Sequence, residues 1–321
     1  MGMARSWTGR GSARAGVAGN PSDALGGAAL AVPVHGLSAT VVLRDAPRLT
    51  VRPIGGDRGW GSVPDLADAS ARVGHDGAER LVTAAIVTLH RWLDDQDRRP
   101  DPSPFAVEWS TEIPRSVGLA GSSALVVATL RALCARWEVA LAPEDLARLA
   151  LAAEVDELGI AAGWMDRAVQ AHDEPTFVDC RSMSPDGVPA MRVVAPGEPI
   201  ELVVAWDPQG ASPSGRLHRS LRARWAASAL AAADLAALAE AVAASCALRD
   251  RLGALDAATR ALVTAAGDAG GSATSAGSGG AVLIVPVGCS ATALVAALAD
   301  RGVPTAPVVL GPAGRSSADL D

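Results

Sequence analysis

A short run of small residues that leads directly into a helical pattern is the strongest constraint in this sequence. Residues 114–124 read Pro-Arg-Ser-Val-Gly-Leu-Ala-Gly-Ser-Ser-Ala, and apolar residues recur at helical spacing from Val126 to Trp137. The first N–H groups of a helix lack partners within it, and the helix dipole adds positive potential there. Glycines let a bound group approach the backbone closely. The segment therefore predicts a phosphate-binding loop in preference to a plain serine cap.

Composition excludes several rival classes of protein. The 321 residues include no lysine, which rules out a Walker A loop and a pyridoxal-phosphate Schiff base. A net charge of −7 makes bulk attraction to nucleic acid or to an anionic membrane unfavourable. Four widely separated cysteines favour a reducing compartment over a disulfide scaffold. We therefore expect a cytoplasmic protein that binds a small molecule, and neither nucleic acid nor membrane; its oligomeric state stays open.

Strand-like and helix-like runs do not alternate strictly along the chain, which favours an α+β fold over a doubly wound sheet. The glycine-, aspartate- and proline-rich segment 55–77 predicts a loop. The patterns predict strands at 28–34, 38–43, 105–111, 201–206 and 281–285, and helices at about 78–94, 144–158, 257–266 and 290–299.

Two carboxylates follow the phosphate-loop candidate. Glu154 lies late in the second predicted helix, and Asp166 ends a run of small residues twelve positions later. An enzyme that uses Mg-ATP needs oxygen ligands for a hard cation and benefits from a carboxylate that accepts a substrate proton. On residue type alone, however, an isolated acidic pair is more often ordinary surface charge.

Two further segments are ambiguous when taken singly. Arg14 precedes a small-residue strand and the polar turn Gly19-Asn20-Pro21-Ser22-Asp23, which contains the only asparagine of the chain. The glycine- and serine-rich segment 274–280 lies before a predicted strand. Both compositions are typical of turns, although the second segment could also close over a bound phosphate.

Taken in chain order, these segments resemble the motifs of GHMP kinases, the superfamily of galactokinase and of homoserine, mevalonate and phosphomevalonate kinases. The resemblance rests above all on the Pro-x-x-x-Gly-Leu-x-Gly-Ser-Ser-Ala pattern at 114–124. It implies a two-lobed α+β fold with the ATP site between the lobes. It also implies an N-terminal extension over 1–12, an ATP-binding domain over 13–175 and a C-terminal domain over 176–321.

The resemblance further implies the roles of individual residues. Arg14 and Asp166 match the positions that act in catalysis, and Ser123 and Glu154 match positions that hold Mg²⁺. The residues that match substrate-binding positions are Asn20, Asp23 and Asp166. The residues that match ATP-binding positions are Pro114, Gly118, Leu119, Ala120, Gly121, Ser122, Ser123, Ala124, Gly277, Ser278 and Gly279.

Within the superfamily, the detail resembles glucuronokinase-like sugar kinases. Besides the segments above, Ser214-Gly215-Arg216-Leu217-His218 and Arg224-Trp225 are similar to that group, with arginine where the family has lysine, as at Arg216. The resemblance implies phosphorylation of the anomeric hydroxyl of a sugar or uronic acid. Alternatives are a non-sugar alcohol such as mevalonate or homoserine, a catalytically silent sugar- and ATP-binding regulator, and a plain globular domain with coincidental turns. The cations available for an acceptor carboxylate are Arg115, Arg167, Arg181 and His218, which the sequence does not rank.

Overall fold

The computed structural model describes residues 5–20, 22–52, 58–208, 227, 229–251, 255–277 and 279–311. The chain divides into two compact units. The first unit contains residues 1–11, 38–112 and 122–162, and the second contains residues 12–37, 113–121 and 163–321. Two long strands, β1 (Ser6–Ala18) and β2 (Ala28–Asp45), contribute residues to both units.

In the first unit, helices pack against a mixed sheet that contains both antiparallel and parallel strand pairs. The further elements of this unit are β3 (Leu49–Arg52), β4 (Arg58–Trp60), β5 (Phe105–Thr111), α1 (Val63–Val73), α2 (Arg80–Asp94), α3 (Gly121–Trp137) and α4 (Pro143–Val155). The strands run in the order β4-β3-β5-β2, with β5 antiparallel to β2 and parallel to β3. Alternation in β5 buries Phe105 and Val107.

The second unit contains a second, wholly antiparallel sheet. Its elements are β6 (Thr176–Met183), β7 (Pro189–Val193), β8 (Ile200–Trp206), β9 (Gly271–Ser275), β10 (Ala281–Pro286), β11 (Thr305–Leu310), the 3-10 turn Ser22–Leu25, α5 (Met165–His172), α6 (Leu235–Arg251), α7 (Ala257–Asp268) and α8 (Ala291–Ala299). The strands of the antiparallel sheet run in the order β11-β8-β10-β9, and Val203 and Ile284 of this sheet pack against Leu294 and Leu298. The first half of β2 pairs with β6, which pairs with β7.

Most predicted elements are confirmed, because they rest on apolar periodicity that these segments bury. The loop predicted for 55–77 is wrong where α1 forms. Ser62 caps this helix by accepting a hydrogen bond from the Asp65 N–H, and Pro64 lies in its first turn. The two strands predicted at 28–34 and 38–43 are one strand, β2. Thr274 and Ser275, which the sequence places in a glycine- and serine-rich turn, lie at the end of β9 (Gly271–Ser275).

The two compact units are each built from several separate segments of the chain. They are therefore not the sequence domains 13–175 and 176–321, and the boundary at 175/176 stays a prediction. Residues 6–12, assigned to an N-terminal extension, lie in β1. Among the helices of the described ranges, none has both the length and the hydropathy needed to cross a membrane.

Candidate functional site

Arg14 occupies the centre of the candidate site in the second unit. Its side chain emerges from β1 and is 5% exposed. Its Nε donates to Asp166 Oδ1 at 2.5 Å, while Nη1 donates to the carbonyl oxygens of Gly118 at 2.8 Å and Ala276 at 2.9 Å. One guanidinium thus joins the predicted catalytic aspartate to both glycine-rich segments.

Asp166 lies in the first turn of α5 with its side chain 21% exposed. Arg167 places Nη1 3.4 Å from its second oxygen, Oδ2. Burial by itself raises the pKa of the Asp166 carboxyl, but the charges of Arg14 and Arg167 and the hydrogen bond from Arg14 outweigh it. The pKa therefore lies below its ordinary value, and Asp166 is ionised at neutral pH.

Asp23 behaves in the opposite way, although it lies in the same unit. It is 6% exposed, and its Oδ2 accepts a hydrogen bond from the Met165 N–H at 2.8 Å. Burial is the largest influence and raises the pKa of Asp23; the negative charge of Asp166 acts in the same direction. Two carboxylates thus have pKa values displaced to opposite sides, a pattern typical of functional sites.

The predicted phosphate loop has a backbone suited to anions. The φ angle is positive at alternate residues, Ser116 (60°), Gly118 (79°) and Ala120 (59°). Such alternation turns successive N–H groups toward one concavity. Arg14 binds the carbonyls of Gly118 and Leu119, and Gln170 Nε2 binds that of Ala120.

In a planar trans peptide, the next N–H points opposite to the carbonyl. The N–H groups of Leu119, Ala120 and Gly121 therefore point away from Arg14 and Gln170. Gly121 then opens α3, so the loop leads directly into a helix N-terminus.

The second glycine-rich segment forms the tight connection from β9 to β10. A Cβ atom on Gly277 would lie 2.0 Å from the Gly118 carbonyl oxygen, so only glycine fits there. Ser275 Oγ donates to the Gly277 carbonyl at 2.9 Å, and Gly279 has a φ of 137°. The structure thus brings Gly277 beside Gly118, and the role of both residues in binding ATP stays a prediction. Ser278, also predicted there, lies outside the described residues.

Arg249 is a site residue that the sequence reasoning missed. It lies in α6, is 3% exposed, and donates to the carbonyl oxygens of Asn20 at 2.6 Å and Gly277 at 2.8 Å. Its only local signal is an arginine in an alanine-rich helix, which ordinarily indicates a solvated face. Asn20 and Gly277 stand 229 and 28 positions away along the chain.

Pro114 lies in the second unit, at the start of the predicted phosphate loop, and four other predicted residues lie in the first unit. Ser122, Ser123 and Ala124 form the first turn of α3, and Glu154 lies in the last turn of α4. Ser123 and Glu154 are both fully buried, and their oxygens are the hard donors that Mg²⁺ prefers. Within the described ranges, no group of three or more His, Cys, Asp or Glu could hold a metal ion. The role of these two residues in holding Mg²⁺ stays a prediction from the sequence.

Three of the four cations predicted as candidates to bind an acceptor carboxylate lie in described residues, and their contacts differ. Arg167 is 4% exposed and donates to the Gly163 carbonyl at 3.1 Å. Arg181 makes a two-point pair with Asp179, at 2.7 and 2.8 Å. Arg115 is exposed in the phosphate loop. The fourth, His218, lies outside the described residues, as do Arg216 and the segment Arg224-Trp225.

Two solved structures share this fold along nearly the whole chain. Galactokinase from Lactococcus lactis, complexed with galactose, has a TM-score of 0.74 at 18% identity, covering 96% of this chain and 94% of its own. Phosphomevalonate kinase from Streptococcus pneumoniae, complexed with phosphomevalonate and AMPPNP, has a TM-score of 0.75 at 17% identity, covering 96% and 100%. The α+β GHMP kinase fold predicted from the sequence is therefore confirmed.

Sequence comparison agrees with the fold. Residues 80–174 match the family model described as the GHMP kinases N terminal domain. Glucuronokinase 1 of Arabidopsis thaliana is 29% identical over 224 residues, which are 67% of this chain and 61% of that protein. The alignment thus spans about three fifths of the relative's length, and the resemblance to the glucuronokinase group is confirmed.

The displaced pKa of Asp23 predicts how its replacement alters stability. In the folded state a raised pKa disfavours the carboxylate, so its cost is present above the folded-state pKa and vanishes as the pH falls below the ordinary value. Asp23→Asn keeps an oxygen for the Met165 N–H and removes this cost. We expect a higher free energy of unfolding than wild type at pH 7, by urea titration, with the difference shrinking toward acid pH.

Asp268→Asn is the matched control, because Asp268 is exposed in the same unit. It should differ little from wild type at any pH. A stability difference for Asp23→Asn that stays constant or grows toward acid pH would contradict the assignment.

Proposed function

We propose that this chain is an ATP-dependent kinase that phosphorylates the anomeric hydroxyl of a sugar or uronic acid. The observation that carries the proposal is the position of Arg14. Its guanidinium binds the ionised Asp166 and, through carbonyls, the two glycine-rich segments at 118 and 276. A cation next to a carboxylate and a donor-rich loop is the arrangement that phosphoryl transfer needs.

The phosphate loop supports nucleotide binding. Its alternating φ angles and the N-terminus of α3 direct backbone donors to one place. Arg14 and Gln170 hold the carbonyls of the loop in place before any ligand arrives. This preorganisation lowers the ordering cost of binding an anion. Residues 118–124 and the Gly277–Gly279 segment are the proposed nucleotide contacts.

In the proposed mechanism, the acceptor hydroxyl lies against Asp166. Its oxygen forms a bond to the γ-phosphorus in line with the breaking bond to ADP, and its proton passes to Asp166. Because the pKa of Asp166 is low, the carboxylate orients the hydroxyl and takes the proton late, as suits a loose transition state. Arg14 stabilises the negative charge on the transferring group, and Asn20 and Asp23 bind the acceptor.

Mg²⁺, when bound, neutralises charge on the phosphoryl oxygens. Ser123 and Glu154 are the residues of this chain proposed to hold it. Both are buried within the first unit, so their rotamers are restricted by packing. A rigid pair of oxygens favours a cation that demands near-ideal octahedral geometry.

The class of acceptor rests on sequence likeness rather than on the fold. Glucuronokinase 1 aligns over two thirds of this chain, which supports a uronic acid. The two structural neighbours have nearly equal TM-scores, although one is complexed with a sugar and the other with phosphomevalonate. A phosphorylated or non-phosphorylated alcohol of the mevalonate type is therefore the second candidate.

The decisive experiment measures ADP formation with Mg-ATP against glucuronate, galacturonate, galactose, arabinose, fucose, mevalonate and homoserine. We expect acceptor-dependent turnover that is fastest on glucuronate or a close relative. Turnover only on mevalonate or homoserine would retain the kinase and discard the sugar. Nucleotide binding without any turnover would favour the silent regulator over the enzyme.

Asp166→Asn removes the negative charge and keeps the shape of the side chain. We expect kcat to fall by about 10²- to 10⁴-fold, the usual contribution of a positioned proton acceptor, while the affinity for Mg-ATP measured by calorimetry changes little. Asp268→Asn should leave both quantities unchanged. Equal losses of turnover and nucleotide affinity would remove Asp166 from its proposed catalytic role.

Gly121→Ala tests phosphate binding separately from folding. The added Cβ would lie 3.4 Å from Ile113 Cγ2, an ordinary contact, so the variant should fold. The methyl group would crowd phosphate at the helix N-terminus, and we expect Mg-ATP affinity to fall by about tenfold, as for a lost charged hydrogen bond. Gly267→Ala, where a Cβ would meet nothing within 4 Å, is the control. An unchanged Mg-ATP affinity in Gly121→Ala would show that the nucleotide does not bind at this helix N-terminus.

A further inference from the structure

We propose that Arg249 and Asn20 form a subsite for a negatively charged oxygen of a ligand, an inference that rests on the proposed kinase function. The shared chemistry of that ligand is an oxyanion. It belongs either to a carboxylate on the acceptor or to a phosphate of the nucleotide.

Arg249 is a buried cation that lacks a counter-ion among the described residues. Its Nη1 and Nη2 donate to two backbone carbonyls, of Asn20 and Gly277, and no carboxylate lies within ion-pair distance of it in those ranges. Its Nε is buried and has no hydrogen-bond partner there. A buried charge whose partners are only neutral carbonyls is costly unless an anion joins it.

The charges around Arg249 also favour a bound anion. Burial lowers the pKa of Arg249 to about 10, and the positive charge of Arg14 contributes to the same shift. Arg249 nevertheless remains a cation at neutral pH. Within the described ranges, no carboxylate is paired with Arg249, and a bound oxyanion would offset the repulsion between the two arginines.

Asn20, whose backbone carbonyl Arg249 binds, supplies a second donor. Its Nδ2 is buried and has no partner in the described part of the chain. A Cβ built on Gly16 would lie 3.6 Å from this Nδ2 and 2.9 Å from the Ala276 carbonyl oxygen. Asn20 Nδ2 thus lies beside the 276–277 segment that Arg249 binds through Gly277.

Two orphan N–H donors and one cation select for an oxyanion over a neutral hydroxyl. A hydroxyl could satisfy the N–H groups but would leave the charge of Arg249 uncompensated. Charge-assisted hydrogen bonds to an oxyanion are also shorter and stronger than neutral ones. The Ala276 carbonyl is bound to Arg14, so the subsite adjoins the residues proposed for phosphoryl transfer.

Binding to the full-length chain tests the proposal without requiring turnover. The probes are glucuronate, glucose, inorganic phosphate and Mg-ADP, each measured by calorimetry and by the thermal shift of Tm. Arg249→Met removes the charge and keeps the bulk of the side chain. Arg251→Met, on the exposed face of the same helix, is the matched control.

We expect Arg249→Met to lower the affinity for an anionic probe by about 10- to 100-fold, as for a lost charge-assisted hydrogen bond, and to change the affinity for glucose little. A loss of affinity confined to glucuronate identifies the acceptor carboxylate as the group that binds there. A loss of affinity confined to phosphate and Mg-ADP identifies the nucleotide. Equal affinities for every anionic probe in Arg249→Met and Arg251→Met would overturn the subsite, as would a wild-type chain that binds none of them.

Two further variants keep the test valid if Arg249→Met does not fold. Arg249→Lys retains the charge and should recover part of the anion affinity. Asn20→Asp places a carboxylate beside Arg249, so we expect a higher Tm without ligand and no further rise with the anion. A lower Tm with anion binding intact would contradict the proposal. Absence of ADP formation in the wild type would overturn the kinase proposal alone, because anion binding is measured independently.

Discussion

The ion pair between Arg14 and Asp166 is the interaction on which the rest of the candidate site depends. Arginine presents several donors in a rigid plane, so one side chain can bind a carboxylate and two carbonyls with fixed geometry. Arg14 uses this plane to connect β1, the phosphate loop, the β9–β10 connection and α5. Removing it would leave the partly buried Asp166 without its main partner and would release two glycine-rich segments together. Lysine has three donors on one ammonium at the end of a flexible stem, so it would lack this fixed planar geometry.

The charge of the second unit follows from how its residues are buried. Arg14, Arg167 and Arg249 are all at most 5% exposed, while the described carboxylate that pairs with the first two is Asp166. The pKa of Asp23 is raised, which weakens its contribution of negative charge. Positive charge therefore exceeds negative charge in a poorly solvated region. Such an excess favours anionic ligands, and both the proposed phosphate contacts and the proposed oxyanion subsite follow from it.

The comparisons separate what the fold decides from what the side chains decide. Structures complexed with a sugar and with phosphomevalonate resemble this chain equally well, at 18% and 17% identity. The fold therefore provides a common scaffold, and in our proposal the acceptor is selected by side chains near Asn20, Asp23 and Arg249. Sequence likeness to glucuronokinase 1 is the observation that favours a uronic acid.

The sequence by itself determined the features that depend on neighbouring residues. The loop that leads into α3 and the apolar helix α2 could be predicted, because glycine spacing and helical periodicity are local. The phosphate-binding role of the loop and the catalytic roles of Arg14 and Asp166 stay predictions. Helix α1 was missed although Ser62 and Pro64 mark its start, since the surrounding glycines and aspartates suggested a loop. Only the tertiary structure decided the role of Arg249 and the opposite pKa displacements of Asp23 and Asp166. Those properties arise from burial and from partners more than a hundred positions away, such as Asn20 for Arg249 and Arg14 for Asp166, and no local pattern encodes them.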